Sequence, residues 1–149
     1  MTEPLMVYTD GASRGNPGPS AVGVSLQRPD GHEVEAVSAL IEDGTNNAAE
    51  YHAAIRGLQL AAKHTAGDVE LRSDSELLIR QLTGEYRVKH AGLALLHADV
   101  MRGKAAFSNV SFAHVRREHP GSRRADQLAN EALIKAGHPK VEWKGQGRR

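Results

Sequence analysis

Residues 5–19, LMVYTDGASRGNPGP, contain an apolar stretch that ends in a carboxylate, followed by a loop rich in glycine and proline. The apolar residues predict a buried strand, and Asp10 lies at its end. Further carboxylates occupy similar junctions: Glu50 near the start of a predicted helix, Asp74 after a predicted strand, and Asp126 at the start of the last predicted helix. Because each lies where one element gives way to another, we expect the fold to gather them into one acidic pocket.

The composition of the chain fits one globular domain. Its 149 residues are 40% hydrophobic and 25% charged, which argues against global disorder. No run approaches the ~18 apolar residues of a membrane span, and the pattern of a secretory signal is missing. The sequence has no cysteine, which excludes disulfides and thiol catalysis, and we expect a cytoplasmic protein. Since the net charge is only +1, any affinity for nucleic acid must come from a local patch.

Hydrophobic periodicity predicts a mixture of strands and helices. The predicted strands span residues 5–10, 21–27, 34–41, 68–74 and 110–115. The predicted helices span residues 46–64, 76–82, 93–104 and 125–136, with loops at 85–92 and 116–124. Residues 140–149 have no periodicity and carry several basic side chains. We therefore predict a single domain of residues 1–139 and a flexible basic tail of residues 140–149.

The order of these elements predicts a mixed α/β fold, with a five-stranded mixed sheet flanked by helices. Strands one to three form an antiparallel meander, in which residues 28–31 have the composition of a tight turn. The crossover through the first long helix is expected to be right-handed and to make the fourth strand parallel to the first. The fifth strand is expected to be parallel to the fourth. Because the carboxyl ends of the first and fourth strands then lie side by side, we expect Asp10 and Asp74 to come together.

Four short motifs carry a resemblance to a known family. In chain order they are Thr9-Asp10-Gly11 with Gly15-Asn16-Pro17-Gly18, Thr45-Asn46-Asn47 ahead of Glu50, Ser73-Asp74-Ser75, and Ala125-Asp126 ahead of Leu128-Ala129. These motifs resemble those of the ribonuclease H family, type 1, over about residues 5–136. The resemblance implies a ribonuclease H-like fold and an endonuclease that cuts the RNA strand of RNA–DNA hybrids. Residues 84–93 are too short for the long basic protrusion of some members, so the chain is similar to compact bacterial and archaeal variants.

The resemblance implies that Asp10, Glu50, Asp74 and Asp126 are the catalytic residues that bind two Mg²⁺ or Mn²⁺ ions. Phosphodiester hydrolysis needs an activated water and relief of the negative charge that develops in the transition state. Two ions about 3.5–4 Å apart can stabilise both the attacking oxygen and the departing 3′ oxygen. Hard divalent cations prefer carboxylate ligands. A single Asp or Glu is more often a solvated surface charge or a helix cap than a metal ligand. For Asp74 the alternative role is specific, since either Asp74 or Ser75 could cap the next helix.

An auxiliary catalytic group is expected in the loop before the last carboxylate. His119 is the leading candidate, as a mobile group that shuttles a proton or helps the product leave. Many family members place a histidine in this loop, whereas other compact members use arginine, so Arg116 or Arg117 is the alternative, steadying the scissile phosphate. We interpret His114, inside a predicted strand, as a structural residue.

Substrate contacts are expected from backbone N–H groups and small polar side chains. The candidates are Gly11, Ser13 and Asn16 in the first loop, Asn46 and Asn47 at the start of the first long helix, and Arg116 and Arg117. The resemblance implies that the asparagines contact the minor groove of the hybrid, where 2′-hydroxyls mark the RNA strand. The alternative is that these loops serve turn formation alone. Arg80, Arg87 and Lys89 are candidates for distributed contacts with the nucleic acid backbone.

The leading hypothesis is therefore a metal-dependent nuclease whose partner is an RNA–DNA hybrid. A related-fold nuclease that also cuts double-stranded RNA is one alternative, and a non-catalytic hybrid-binding module is another. The intact set of carboxylates argues against the binding module. We expect a monomer with no obligate protein partner and no membrane association.

Overall fold

Five strands form one mixed sheet in the computed structural model, which describes residues 3–140. The strands are β1 (Leu5–Ser13), β2 (Gly18–Gln27), β3 (Glu33–Gly44), β4 (Asp68–Ser73) and β5 (Asn109–His114). The helices are α1 (Asn46–Ala62), α2 (Glu76–Leu82), α3 (Ala91–Gly103) and α4 (Pro120–Lys135), with a short 3-10 helix (Lys104–Ala106) after α3. None of these helices is long and apolar enough to cross a membrane. Residues 141–149 of the predicted tail lie outside the described part of the chain.

The strand order β3-β2-β1-β4-β5 confirms the predicted sheet. β1 and β3 pair antiparallel with β2, whereas β4 pairs parallel with both β1 and β5. Tyr8 of β1 lies opposite Arg72 of β4, and extending this register by two residues sets Asp10 level with Asp74. The crossover through α1 therefore brings the carboxyl ends of β1 and β4 together, as the element order predicts.

The two long helices α1 and α4 cover opposite faces of the sheet. Val24 of β2 belongs to the main core cluster with Tyr51 and Leu58 of α1, whereas the neighbouring Gly23 faces the backbone of α4 at Ala125. Successive residues of a strand point to opposite faces, so the sheet separates the two helices. Side chains on α1 and α4 therefore approach the end of β1 from its two sides.

Two glycines let these helices lie close against the strands. A Cβ on Gly11 of β1 would lie 2.2 Å from the backbone carbon of Ala49 in α1. A Cβ on Gly23 of β2 would lie 2.1 Å from the backbone oxygen of Ala125 in α4. No side chain fits at these distances, so both positions require glycine. Because Ala49 and Ala125 each precede a carboxylate, this packing sets how near those carboxylates come to the sheet.

The loop after Asp10 is shorter than predicted. β1 continues through residues 11–13 and β2 begins at Gly18, because Ser13 pairs with Ser20 across the hairpin. Glycine and small residues favour a loop locally, but here antiparallel partners override that propensity. The other boundaries, apart from the start of α4, differ from the predictions by three residues or fewer.

The start of α4 is the largest departure from prediction, because the helix begins at Pro120 rather than at residue 125. His119 caps this helix, and its Nδ1 accepts a hydrogen bond of 3.0 Å from the N–H of Gly121. Pro120 occupies the first turn, where no N–H is needed. Histidine is not among the usual cap residues Ser, Thr, Asp and Asn. The sequence pattern therefore places the start only where the apolar stripe begins.

Gly23→Ala tests how far the fold depends on close contact between β2 and α4. The added methyl group meets the α4 backbone, so we expect the free energy of unfolding to fall by about 1–3 kcal/mol. Gly44→Ala is the matched control, because its Cβ would lie 3.8 Å from Ala48 Cβ, an ordinary contact; we expect a change within about 0.5 kcal/mol. Urea denaturation measures both variants, and equal losses would contradict this account of the packing.

Candidate functional site

Three carboxylates from separate elements meet just beyond the last paired residues of β1 and β4. One oxygen from each of Asp10, Glu50 and Asp74 lies within 4.8 Å of the other two. Asp10 and Glu50 are each only 7% exposed, and Asp74 is half-buried. Oxygen donors so close together form the kind of site that a hard divalent cation occupies.

Glu50 reaches this centre because the start of α1 is fixed. The Thr45 side chain caps the helix by accepting a hydrogen bond from the N–H of Ala48 at 3.1 Å. The N–H of Gly11 then donates to Glu50 Oε1 at 3.0 Å across the close contact between α1 and β1. The Glu50 side chain thus points towards β1, and the backbone N–H of Gly11 fixes the position of its carboxylate.

Asp74 follows β4 directly and does not cap the next helix. Ser75 fills the cap position of α2, and its Oγ accepts a hydrogen bond from the N–H of Leu78 at 3.2 Å. The competing role that the sequence left open for Asp74 therefore belongs to Ser75. The Asp74 carboxylate faces the other acids instead, with ligand oxygens close to those of Asp10 and Glu50.

Asp126 lies on α4 and approaches the centre from the other face of the sheet. Its side chain is exposed, yet it is close enough to Asp10 for the two carboxyl groups to share a hydrogen bond when one is protonated. It is not among the acids whose oxygens lie within 4.8 Å of one another. Asp126 therefore adds a fourth carboxylate to the centre, next to Asp10 and on the side of the sheet that α4 covers.

Burial and mutual repulsion disfavour the charged forms of these acids. Burial raises the pKa of Asp10 from 3.8 to about 10, and the charges of Glu50, Asp74 and Asp126 add to the shift. Burial likewise raises the pKa of Glu50 to about 8, although the hydrogen bond from Gly11 opposes the shift. Among residues 3–140, no lysine or arginine is a cause of either of these shifts. A bound cation would relieve this repulsion, so the donor set fits a divalent metal.

The predicted auxiliary histidine is held in place in this structure. His119 Nδ1 accepts the capping hydrogen bond from Gly121, and the imidazole ring packs against Tyr8 with centroids 5.1 Å apart. Arg72 in turn donates a 2.8 Å hydrogen bond to the Tyr8 hydroxyl. The structure thus places His119 at the cap of α4 rather than inside a loop, and the cap leaves Nε2 as the nitrogen available to a ligand.

Arg117 and His114 are the basic residues near Asp74. Arg117 Nε lies 4.0 Å from Asp74 Oδ2, with the arginine side chain 87% exposed, and the Arg117 charge opposes the burial that raises the pKa of Asp74. His114 also acts electrostatically on Asp74, because its partner in the β4–β5 register is Ser73. The proximity of His114 to Asp74 was not predicted, although the expected parallel pairing of β4 and β5 could have indicated it. Arg116 is exposed.

The predicted substrate contacts divide into two groups. The Gly11 N–H is used by Glu50, and the Ser13 hydroxyl donates to the carbonyl of Gly44 at 2.8 Å, so these two groups hold the site together. The exposed side chains of Asn16, Asn46 and Asn47 line one surface groove of about 670 Å³. Within it, Asn16 Oδ1 accepts a hydrogen bond of 3.0 Å from the N–H of Asn46.

The basic residues of the α2–α3 region also differ from one another. Arg80 is engaged in ion pairs with Glu76 at 2.8 Å and Glu85 at 3.0 Å. Arg87 and Lys89 are exposed in the connection between α2 and α3. All three stay candidates for contacts with a nucleic acid backbone, and Arg80 would have to exchange its ion pairs for them.

Known proteins share both the sequence and the fold. A family model described as reverse transcriptase-like matches residues 8–132. The chain is 44% identical to Ribonuclease HI of Halobacterium salinarum over 126 residues, which cover 85% of this chain and 62% of that protein. It is 34% identical to Ribonuclease H of Pseudomonas entomophila, over 89% of this chain and 95% of that protein.

Solved structures agree with these relatives. The crystal structure of RNase H1 from Halobacterium salinarum matches with a TM-score of 0.84 at 43% identity, covering 88% of this chain and 98% of that chain. LC11-RNase H1 in complex with an RNA/DNA hybrid matches with a TM-score of 0.80 at 41% identity, covering 89% and 98% of the two chains.

The extent of the match differs among relatives. The chain spans 62% of the length of the Halobacterium protein and 35% of the length of a bifunctional protein of Mycobacterium tuberculosis. It spans nearly the whole of the Pseudomonas protein. The family match over residues 8–132 includes β2 to β5 and α1 completely, and all but the first three residues of β1 and the last three of α4. The chain therefore belongs to the ribonuclease H family, type 1.

Proposed function

We propose that the chain is an endonuclease that hydrolyses the RNA strand of RNA–DNA hybrids with two Mg²⁺ or Mn²⁺ ions. The observation that carries this proposal is the convergence of carboxylates around the buried Asp10. Such a group holds several charges together only with compensating cations, and paired cations suit phosphodiester hydrolysis. Relatives named Ribonuclease HI and Ribonuclease H support the same activity, and the family match over residues 8–132 supports a single catalytic domain of residues 1–139.

Asp10 would be a ligand of both ions, because it lies in the central strand β1 between the two helices that carry acids. Glu50 and Asp74 would flank one ion, and Asp126 the other. Bound ions supply an activated water and stabilise the charge on the departing oxygen. The chain itself keeps the carboxylates close together, in part through the hydrogen bond from the N–H of Gly11 to Glu50.

We propose that the hybrid lies along the groove lined by Asn16, Asn46 and Asn47. The latter two lie at the amino end of α1, where the helix dipole favours phosphate. Side-chain amides are suited to 2′-hydroxyls in the shallow minor groove of A-like duplexes. A relative, LC11-RNase H1, binds an RNA/DNA hybrid, which supports this substrate class.

Two residues are proposed to assist the reaction beside the carboxylates. His119 presents Nε2 for proton transfer, since its other ring nitrogen is engaged in the helix cap. Arg117 is the arginine of the pair 116–117 that lies near Asp74, and we propose that it contacts the scissile phosphate. Both would act on the substrate rather than on the metal ligands.

A substrate panel tests the proposed function. We expect Mg²⁺ or Mn²⁺ to support cleavage of the RNA strand in a labelled RNA–DNA hybrid, and EDTA to stop it. Asp10→Asn and Asp74→Asn should abolish turnover because each removes a ligand charge. Asp68→Asn, a matched change at an exposed acid at the far end of β4, should retain it.

The same panel contains RNA duplex and DNA duplex, and it separates the alternatives. Binding of the hybrid with no cleavage would indicate a non-catalytic hybrid-binding module. Cleavage of RNA duplex as fast as hybrid would indicate a broader nuclease, and cleavage of DNA would contradict the proposed specificity. Circular dichroism shows whether each variant has kept its fold.

Substitution of His119 separates its capping role from its proposed chemical role. His119→Ala should slow single-turnover cleavage by about 10² or less and lower the free energy of unfolding by about 1 kcal/mol. His119→Asn keeps a side-chain oxygen that caps helices well, so it should restore stability but not the rate. If His119→Asn cleaves as fast as the unsubstituted protein, the auxiliary role passes to Arg117.

A further inference from the structure

Asn130 contacts the one acid of the site that is exposed. It lies one turn after Asp126 on α4, and its Nδ2 donates to Asp126 Oδ1 at 3.0 Å and to the Asp126 carbonyl oxygen at 2.9 Å. A side-chain amide has two N–H donors, so one nitrogen serves both acceptors. Asp126 makes these contacts while its carboxyl group lies beside Asp10.

The amide of Asn130 has one possible orientation for these contacts. If its oxygen and nitrogen exchanged places, the oxygen would face two acceptors of Asp126 and repel both. The observed orientation leaves Asn130 Oδ1 buried with no hydrogen-bond partner within residues 3–140. An unsatisfied buried acceptor costs free energy, and asparagine is also a poor residue inside a helix. Stability alone therefore does not explain an asparagine here.

We infer that Asn130 is a positioning residue that holds the Asp126 carboxylate towards Asp10 for metal binding. An exposed aspartate on a helix otherwise samples several rotamers, and its capture by a metal would cost side-chain entropy. The neutral amide fixes the carboxylate without cancelling its charge, whereas lysine or arginine would compete with the cation. Hydrogen bonds to a ligating carboxylate are a general means of tuning metal affinity. This inference rests on the proposed function, in which Asp126 is a metal ligand.

The test is a double-mutant cycle on the substrate-free protein, with Mn²⁺ binding measured by isothermal titration calorimetry. The proteins are the unsubstituted chain, Asn130→Ala, Asp126→Asn and the double variant. Asn130→Ala should weaken Mn²⁺ binding by about 10-fold, with no further effect in the Asp126→Asn background. Its melting temperature in EDTA should equal or exceed that of the unsubstituted protein, because an unsatisfied acceptor is removed. Glu131→Ala, the neighbouring position on α4, is the control and should bind Mn²⁺ normally.

The outcomes distinguish the inference from the function on which it rests. If Asp126→Asn weakens Mn²⁺ binding and Asn130→Ala does not, the positioning role of Asn130 is overturned and the proposed function stands. An equal effect of Asn130→Ala in both backgrounds, with a lower melting temperature, indicates a general structural role and overturns the inference as well. If Asp126→Asn binds Mn²⁺ as tightly as the unsubstituted protein, the metal assignment of Asp126 fails, and the inference fails with it.

Discussion

Repulsion among the carboxylates that meet where β1 and β4 stop pairing is the constraint on which this structure depends. Asp10 is buried beside three other acids, and both its burial and their charges raise its pKa to about 10. This repulsion favours moving α1 and α4 away from the sheet, since each helix carries one of the acids. The packing of both helices must oppose that tendency. A cation placed among the acids would turn the same geometry into a binding site.

The fold opposes the repulsion mainly through its backbone. Gly11 acts twice: the absence of a side chain lets Ala49 of α1 come close, and its N–H donates to Glu50. Gly23 allows the same close approach of α4 on the other face. The acids are therefore placed by main-chain contacts, which tolerate little adjustment. A rigid arrangement of this kind suits catalysis that depends on fixed distances between ligands.

Much of this arrangement follows from the sequence because it depends on long-range rules. The right-handed crossover predicts that β1 and β4 lie side by side, and hence that Asp10 meets Asp74. Periodicity also gives both acid-bearing helices. What escaped prediction depends on local contacts: the cap by His119 that starts α4 early, and the hydrogen bond from the N–H of Gly11 to Glu50. The contact of Asn130 with Asp126 was also not predicted. It becomes visible only from the helix geometry and from the burial of the Asn130 amide oxygen, and no sequence motif indicates either.

The most direct measurement of the central claim is the free energy of unfolding in EDTA between about pH 5 and about pH 9. In the folded protein the pKa of Asp10 is raised from 3.8 to about 10, so the folded state keeps a proton that the unfolded chain loses near pH 4. Stability must then fall as the pH rises through this interval. We predict a clear fall for the unsubstituted protein, a smaller fall for Asp10→Asn, and recovery with saturating Mg²⁺. Parallel curves for the two proteins, unaffected by Mg²⁺, would contradict the account.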